Sequence, residues 1–332
     1  DTLDLSQVST TVTVNLSGPG GVDGLNGTTN IIPGGGFSNI DALLAGSGNN
    51  TLTGADSDST WVLDGNSYIH QASAQNVSFS GFGNLVGGVQ ADTFQFWNAY
   101  TFSGNIDGAA GDDYLDYQNY GSAASVTLQD ATSTILSGIA TGLSGTFIHI
   151  ENYTGSPYSD TLIGPDSGAT FNLTALNTGN IDGVFFFTAV ENLTGGSALT
   201  DILNFSTFVG SLTINLELGT LSGIGGNFSG FENIVGNSAS SLIGPNSGAT
   251  FNITGVDEVN VDGIYFFTSI QNLTGGTGSD IFAFVNAGSL TGDIDGGAGN
   301  DTLTYSALTT VVSVTLSALS GTDGFAGTAS KL

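Results

Sequence analysis

Residues 272–305 read NLTGGTGSDIFAFVNAGSLTGDIDGGAGNDTLTY, and one nine-residue phrase is written in them twice, as Gly275-Gly276-Thr277-Gly278-Ser279-Asp280-Ile281-Phe282-Ala283 and Gly296-Gly297-Ala298-Gly299-Asn300-Asp301-Thr302-Leu303-Thr304. Both fit G-G-x-G-x-D-x-U-x, where U is a large apolar residue. The glycines allow a tight turn with φ > 0, the Asp sets a carboxylate at its end, and the apolar residue opens a strand with its side chain turned inward. Gly275 and Gly296 are 21 positions apart, a step that suits one coil of a solenoid.

Working outward, the chain repeats itself on a longer scale. Residues 1–29, DTLDLSQVSTTVTVNLSGPGGVDGLNGTT, return at 301–329 as DTLTYSALTTVVSVTLSALSGTDGFAGTA. The same opening recurs at Asp113-Tyr114-Leu115-Asp116-Tyr117 and Asp201-Ile202-Leu203-Asn204-Phe205, which divides the chain into units 1–112, 113–200 and 201–300 and a partial unit 301–332. Residues 162–196 and 242–276 align without gaps at an offset of 80, and Trp61 stands where those segments carry Phe171 and Phe251. The second unit lacks the counterpart of 94–111 and 282–299, a deletion of about one coil that a solenoid tolerates because each coil touches only its neighbours.

A finer beat is the phrase Asn-apolar-x-Gly at Asn84, Asn152, Asn192, Asn233 and Asn272. The last three steps are 40, 41 and 39 residues, and halving them predicts about 20 residues per coil, with two strands and two turns in each. Phe171-Asn172-Leu173, residues 184–187 and 264–267, and Phe282-Ala283-Phe284 are expected to fill the bore as stacked ladders. Gly or Asn interrupts nearly every window, so no helix is expected.

Composition limits function. The chain has 332 residues, 52 of them Gly, yet it is 39% hydrophobic with 21 Phe, which describes a folded chain rich in turns rather than a linker. Twenty-nine acidic residues face one Lys, Lys331, for a net charge of −28. That balance argues against nucleic acid and anionic membranes as partners and leaves solvent and small cations to meet the self-repulsion. There is no Cys and no Met; without Met, Asp1 is expected to be a processed terminus or an internal cut. No apolar run approaches membrane-spanning length.

The nonapeptides resemble the RTX, or hemolysin-type calcium-binding, repeat family. Residues 108–116, GAAGDDYLD, depart from the phrase at one glycine, and residues 87–95, GGVQADTFQ, lack the fourth-position glycine. The resemblance implies Ca²⁺ held between stacked turns, with Asp92 and Asp113, and Asp280 and Asp301, as pairs on neighbouring coils. Asp293 and Asp295 thicken the charge beside Asp301, which makes that corner the best metal candidate. Asp107, in an Ile-Asp-Gly phrase shared with Asp182 and, as Val-Asp-Gly, with Asp262, is a further candidate. The bland alternative stands beside it: Asp and Asn make Asx turns at coil corners without metal, and the repeated Asn residues bond backbone groups. More broadly, the 80-to-110-residue units resemble giant repeat-rich bacterial surface proteins and adhesins.

No catalytic constellation is found. His149, expected to share a strand face with Phe147 and Glu151, and His70 lack a companion nucleophile. The expected architecture is all-β: one elongated, right-handed parallel β-helix over residues 1–332, of about 16 coils and roughly 75–80 Å at about 4.8 Å per rung. The expected function is a structural and adhesive segment of an extracellular bacterial fibre or cell-surface protein, without enzymatic activity, stiffened by Ca²⁺, associating end to end with itself or with neighbouring repeats, and touching surface glycans. The alternatives are a calcium-responsive RTX-type module, a polysaccharide-active β-helix enzyme, and a string of three Ig-like sandwiches.

Overall fold

The structure, a computed structural model, describes residues 1–132, 135–319 and 324–331. Residues 320–323 and 332 of the fourth sequence unit lie outside the described residues. The chain divides into two compact units, one of Asp1–Ser167 with Asn180–Leu193 and one of Gly168–Gly179 with Thr194–Leu332. All regular structure among the described residues is β-strand.

In the first unit one sheet stacks Thr2–Leu5, Ala42–Ala45 and Asn76–Ser80 in parallel. It turns through an antiparallel meander of Asn76–Ser80, Ser67–His70 and Ser59–Val62. It then runs in parallel through Asp92–Gln95, Tyr114–Asp116, Asn152–Thr154 and Phe185–Thr188. The other sheet opens with the meander Gly36–Ile40, Leu25–Thr29, Thr13–Pro19, and continues in parallel through Thr51–Thr53, Asn84–Gly88, Asn105–Ala109 and Phe147–Ile148. A second meander, Ile135–Ala140 with Ser125–Thr132, leads to Thr161–Ile163.

The second unit follows the same plan. Thr170–Ala175, Ile202–Asn204, Asn233–Val235 and Tyr265–Thr268 stack in parallel, a meander passes through Glu258–Val261 and Thr250–Gly255, and Ile281–Val285 and Thr302–Ala307 follow in parallel. Its other sheet joins Thr220–Leu221, Leu212–Asn215, Ser240–Ile243, Asn272–Thr274 and Ile294–Asp295. Val312–Leu319 and Phe325–Lys331 form a hairpin.

The 21-residue step holds where no meander intervenes, at Thr93↔Tyr114, Asn84↔Asn105, Leu273↔Ile294 and Ile281↔Thr302. Elsewhere successive rungs stand further apart, 33 residues for Thr60↔Thr93 and 38 for Val14↔Leu52 and Leu115↔Tyr153. The difference is spent on antiparallel strands laid into the sheet between rungs, or on longer loops. Dividing the chain by about 20 therefore overstates the number of coils, and the expected 16 is too many.

Alternation does what the pattern requires. Val14, Leu52, Leu85, Ile106 and Phe147 occupy one register column and are each 1% exposed or less. Trp61, Phe94, Leu115, Tyr153 and Phe187 make a second buried column. Like stacks on like: ring centroids are 5.6 Å apart for Trp61 and Phe94, and 4.8 Å for Phe251 and Phe282, with planes 15° and 9° from parallel. Each such side chain contributes about 1.5–3 kcal/mol by burial. The expected apolar filling holds for three of the eight residues of 184–187 and 264–267: Phe185, Phe187 and Phe267 face inward, whereas Phe186, Ile264, Tyr265 and Phe266 are exposed and Val184 is half-buried. Strand alternation turns the two Phe outward, and Ile264 belongs to a turn closed by its N–H on the Val261 carbonyl.

Candidate functional site

The residues singled out by the nonapeptide lie at one kind of place, the corner where a turn enters a strand. Asp280 shows the design. It is fully buried; its Oδ2 accepts the Gly276 N–H at 2.9 Å within its own turn, and its Oδ1 accepts the Ala249 N–H of the neighbouring coil at 2.7 Å. Its own N–H donates to Asp301 Oδ1 at 2.9 Å, and its carbonyl accepts the Thr302 N–H at 2.8 Å. Backbone and side chain are both closed. The first glycine of the phrase is needed for room, since a Cβ on Gly275 would collide with the Asp280 carboxylate and the Gly296 carbonyl.

Asp92 and Asp160 repeat the arrangement. Asp92 accepts the Gly88 N–H at 2.6 Å and the Ser59 hydroxyl, and donates its N–H to Asp113 Oδ1 at 2.7 Å. Asp160 accepts N–H groups of Ser156 and Ala124, each at 2.5 Å. Asp201 accepts the Ala169 N–H at 2.8 Å. Two neutral residues hold the same station: Asn50 Oδ1 accepts the Val12 N–H at 2.8 Å, and Ser240 Oγ accepts the Asn237 N–H at 2.7 Å. A station that Asn and Ser also fill performs hydrogen bonding for which a charge is optional.

The corner N–H is capped from the next coil by a residue that sequence reasoning passed over. Glu151 caps Asp113 at 2.9 Å, Glu191 caps Asp160 at 2.9 Å, Glu232 caps Asp201 at 3.2 Å, and Gln271 caps Ser240 at 2.8 Å. Each directly precedes the Asn of an Asn-apolar-x-Gly phrase. That Asn closes the carbonyl of the same corner: Asn192 Nδ2 reaches the Asp160 carbonyl at 2.9 Å, and Asn84 and Asn152 those of Asn50 and Asp113 at 3.3 Å. The pair Glu-Asn, or Gln-Asn, thus clamps one coil to its neighbour through both backbone groups. Three of these glutamates in a chain so poor in Glu were the visible signal.

Asp113 is the exception. The turn before it runs through Gly111 at φ +153°, and the N–H four residues upstream, Ala109, donates to Asp107 Oδ1 at 2.9 Å instead. Asp113 Oδ2 is left buried without a partner. Burial pushes its carboxyl up to about 8, with the Asp92, Glu151 and Asp112 carboxylates adding to the rise while the Asp92 N–H opposes it. Burial raises Asp92 and Asp160 as well.

The remaining expected metal ligands face outward or half outward. Asp293 and Asp295 are exposed and Asp301 and Asp107 half-buried; Asp295 Oδ1 accepts the Gly297 N–H at 3.1 Å. Asp182 and Asp262, at φ 52° and 54° and each followed by a positive-φ glycine, turn the chain. The structure therefore brings together Asp92 with Asp113 and Asp280 with Asp301, each through an amide-to-carboxylate bond. Among the described residues no group of three or more His, Cys, Asp or Glu is placed to hold a metal ion. His149, at φ 52°, leaves the strand alternation and sets Nδ1 2.8 Å from Asp107 Oδ1, while His70 is buried against the Ser73 hydroxyl at 3.0 Å.

Comparison with known protein families and with curated proteins returns no match, and the resemblance to RTX repeats gains no support from it.

Proposed function

We propose that this chain is a structural and adhesive segment of an extracellular bacterial fibre or surface protein, built as a right-handed β-solenoid whose shortest coil is 21 residues, and that it performs no reaction. The observation that carries the reading is the corner ladder: buried Asp, Asn or Ser stations, each closed on the next coil, make stacking itself the purpose of the most repeated residues. The charge of −28 keeps the outer surface hydrated and favours uncharged partners such as neutral glycans, while end-to-end association proceeds against that repulsion with small cations screening it. Calcium in this reading is a counter-ion of the outward carboxylates Asp293 and Asp295 rather than the agent that closes the corners.

Negative-stain electron microscopy of the purified chain tests the scaffold: rods, and at higher concentration rods joined end to end, are expected, and round particles of one size at all concentrations would overturn it. Circular dichroism melts in Ca²⁺ and in EDTA test the ion's part. A midpoint moved by a few degrees is the expected outcome, and loss of the β signal in EDTA would favour the calcium-folded module instead.

A further inference from the structure

We propose that the outward face of each unit carries a docking strip for a neutral, extended β-1,4-linked glycan, with Phe186 and Phe266 as its stacking platforms. This rests on the adhesive reading above and names the partner and the residues that meet it.

The strip is set by strand register. In the first unit Tyr114, Asn152 and Phe186 stand on successive rungs, with Asp116, Thr154 and Thr188 beside them. In the second unit Ile202, Asn233 and Phe266 stand in the same way, with Asn204, Val235 and Thr268 beside them. The residues between, Leu115, Tyr153, Phe187, Leu203, Ile234 and Phe267, fill the bore, so alternation sends the strip outward. Phe186 is 45% and Phe266 52% exposed, and their N–H groups bond the Glu151 and Glu232 carbonyls at 2.7 and 3.0 Å. The three matching pairs along the strips lie 88, 81 and 80 positions apart. The loops between rungs thus differ in length, yet register restores the order apolar, amide, aromatic. A lone ring on a sheet face needs no explanation. The same ring at the same station of both units, where the bore gains nothing from it, does.

The occupant follows from charge, chemistry and spacing. In a chain of net charge −28 the second strip holds no charged side chain and the first only Asp116, whose carboxylate accepts Gln95 Nε2 at 3.1 Å and the Gln118 N–H at 2.9 Å. The strip therefore offers a cation little, while the charge of the chain around it repels an anionic polymer. A neutral partner is left. Amides and hydroxyls beside an aromatic face suit a pyranose ring, which has an apolar C–H face and a rim of hydroxyl groups. Apolar residues recur on every second rung, about 9–10 Å apart at about 4.8 Å per rung. That span is close to the two-ring repeat of an extended β-1,4-linked chain, in which alternate rings show the same face. The glycan thus lies across the strands, along the direction of stacking.

Isothermal titration calorimetry of the whole chain with cellohexaose and with chitohexaose tests the strip, and circular dichroism checks that each variant folds. At least one of the two sugars is expected to bind. F186A and F266A are each expected to lower the binding capacity, and F186A/F266A to weaken binding by at least about tenfold, whereas F186Y/F266Y keeps the rings and the affinity. In affinity electrophoresis neutral hydroxyethylcellulose is expected to retard the chain, and anionic carboxymethylcellulose to leave it free. Binding that survives undiminished in F186A/F266A, or equal retardation by the two celluloses, would overturn the strip and leave an adhesive role standing. Absence of binding by both hexasaccharides would overturn it too, and rods in electron microscopy would then still support the scaffold. Oligomers in light scattering that F186A/F266A disperses would show that the rings seat a second copy of the chain, which likewise overturns the glycan.

Discussion

Val14 and Val314 sit at the same position of hairpins with the same register, yet one is 0% and the other 52% exposed. Nothing in their own strands separates them, since Thr13-Val14-Asn15-Leu16 and Ser313-Val314-Thr315-Leu316 alternate alike. The difference is the coil beside them: Val14 lies against Leu52 in parallel register. In a stacked fold, burial is conferred by the neighbour, and a strand is core or surface according to whether the next coil is in place.

The sharpest way to break this comparison is to charge both positions in dilute, monomeric protein. Val14→Asp puts an unpaired carboxylate into a dry column and is expected to cost about 4 kcal/mol or more, whereas Val314→Asp is expected to stay within about 0.5 kcal/mol. Equal losses by urea denaturation would show that the two hairpins share one environment. Next in size is the corner. Asp280→Ala strands the Ala249 and Gly276 N–H groups, at about 1–3 kcal/mol each, while Asp293→Ala, on the exposed side of the same region, is expected to leave the urea midpoint unchanged.

A third measurement uses pH. In the folded chain burial keeps the Asp113 carboxyl protonated up to about 8, against 3.8 for the ordinary group. Between those values the folded state holds more protons than the unfolded state, so this group's contribution declines as pH rises from about 4 to about 8 and is level above. Asp113→Asn is expected to flatten that slope and to raise the melting temperature at pH 8 relative to the native chain; an unchanged slope would place the buried proton elsewhere. The smallest effect concerns the Asn clamp. Asn84→Ala removes side-chain bonds to Asn49 and Asn50 at 2.8 and 3.3 Å and is expected to cost about 0.5–1 kcal/mol.

The part of the fold legible in the residues was the part with one period. The nonapeptide step from Ile281 to Thr302 is a rung, and the aromatic columns follow from alternation. The meanders were illegible to spacing, because a strand in a hairpin and a strand in a coil share the two-residue period. Their turns are nonetheless written in the sequence: Asp262-Gly263 and Asp182-Gly183, both residues at φ > 0, are Asp-Gly hairpin turns rather than ligands or coil corners. At the candidate site, the pairing of Asp280 with Asp301 was legible from their 21-residue offset. Which group each carboxylate would face was not, since an Asp that closes on amides and one that binds an ion follow the same glycines.

Amide hydrogen exchange read residue by residue tests that central point most directly. If each corner is closed by the neighbouring coil, the N–H groups of Asp92, Asp160 and Asp280 exchange as slowly as those of Phe94, Leu162 and Phe282 in the strands they lead, in EDTA as in Ca²⁺. Exchange of the three Asp amides at the rate of open turns in EDTA, with protection appearing only on adding Ca²⁺, would contradict the account.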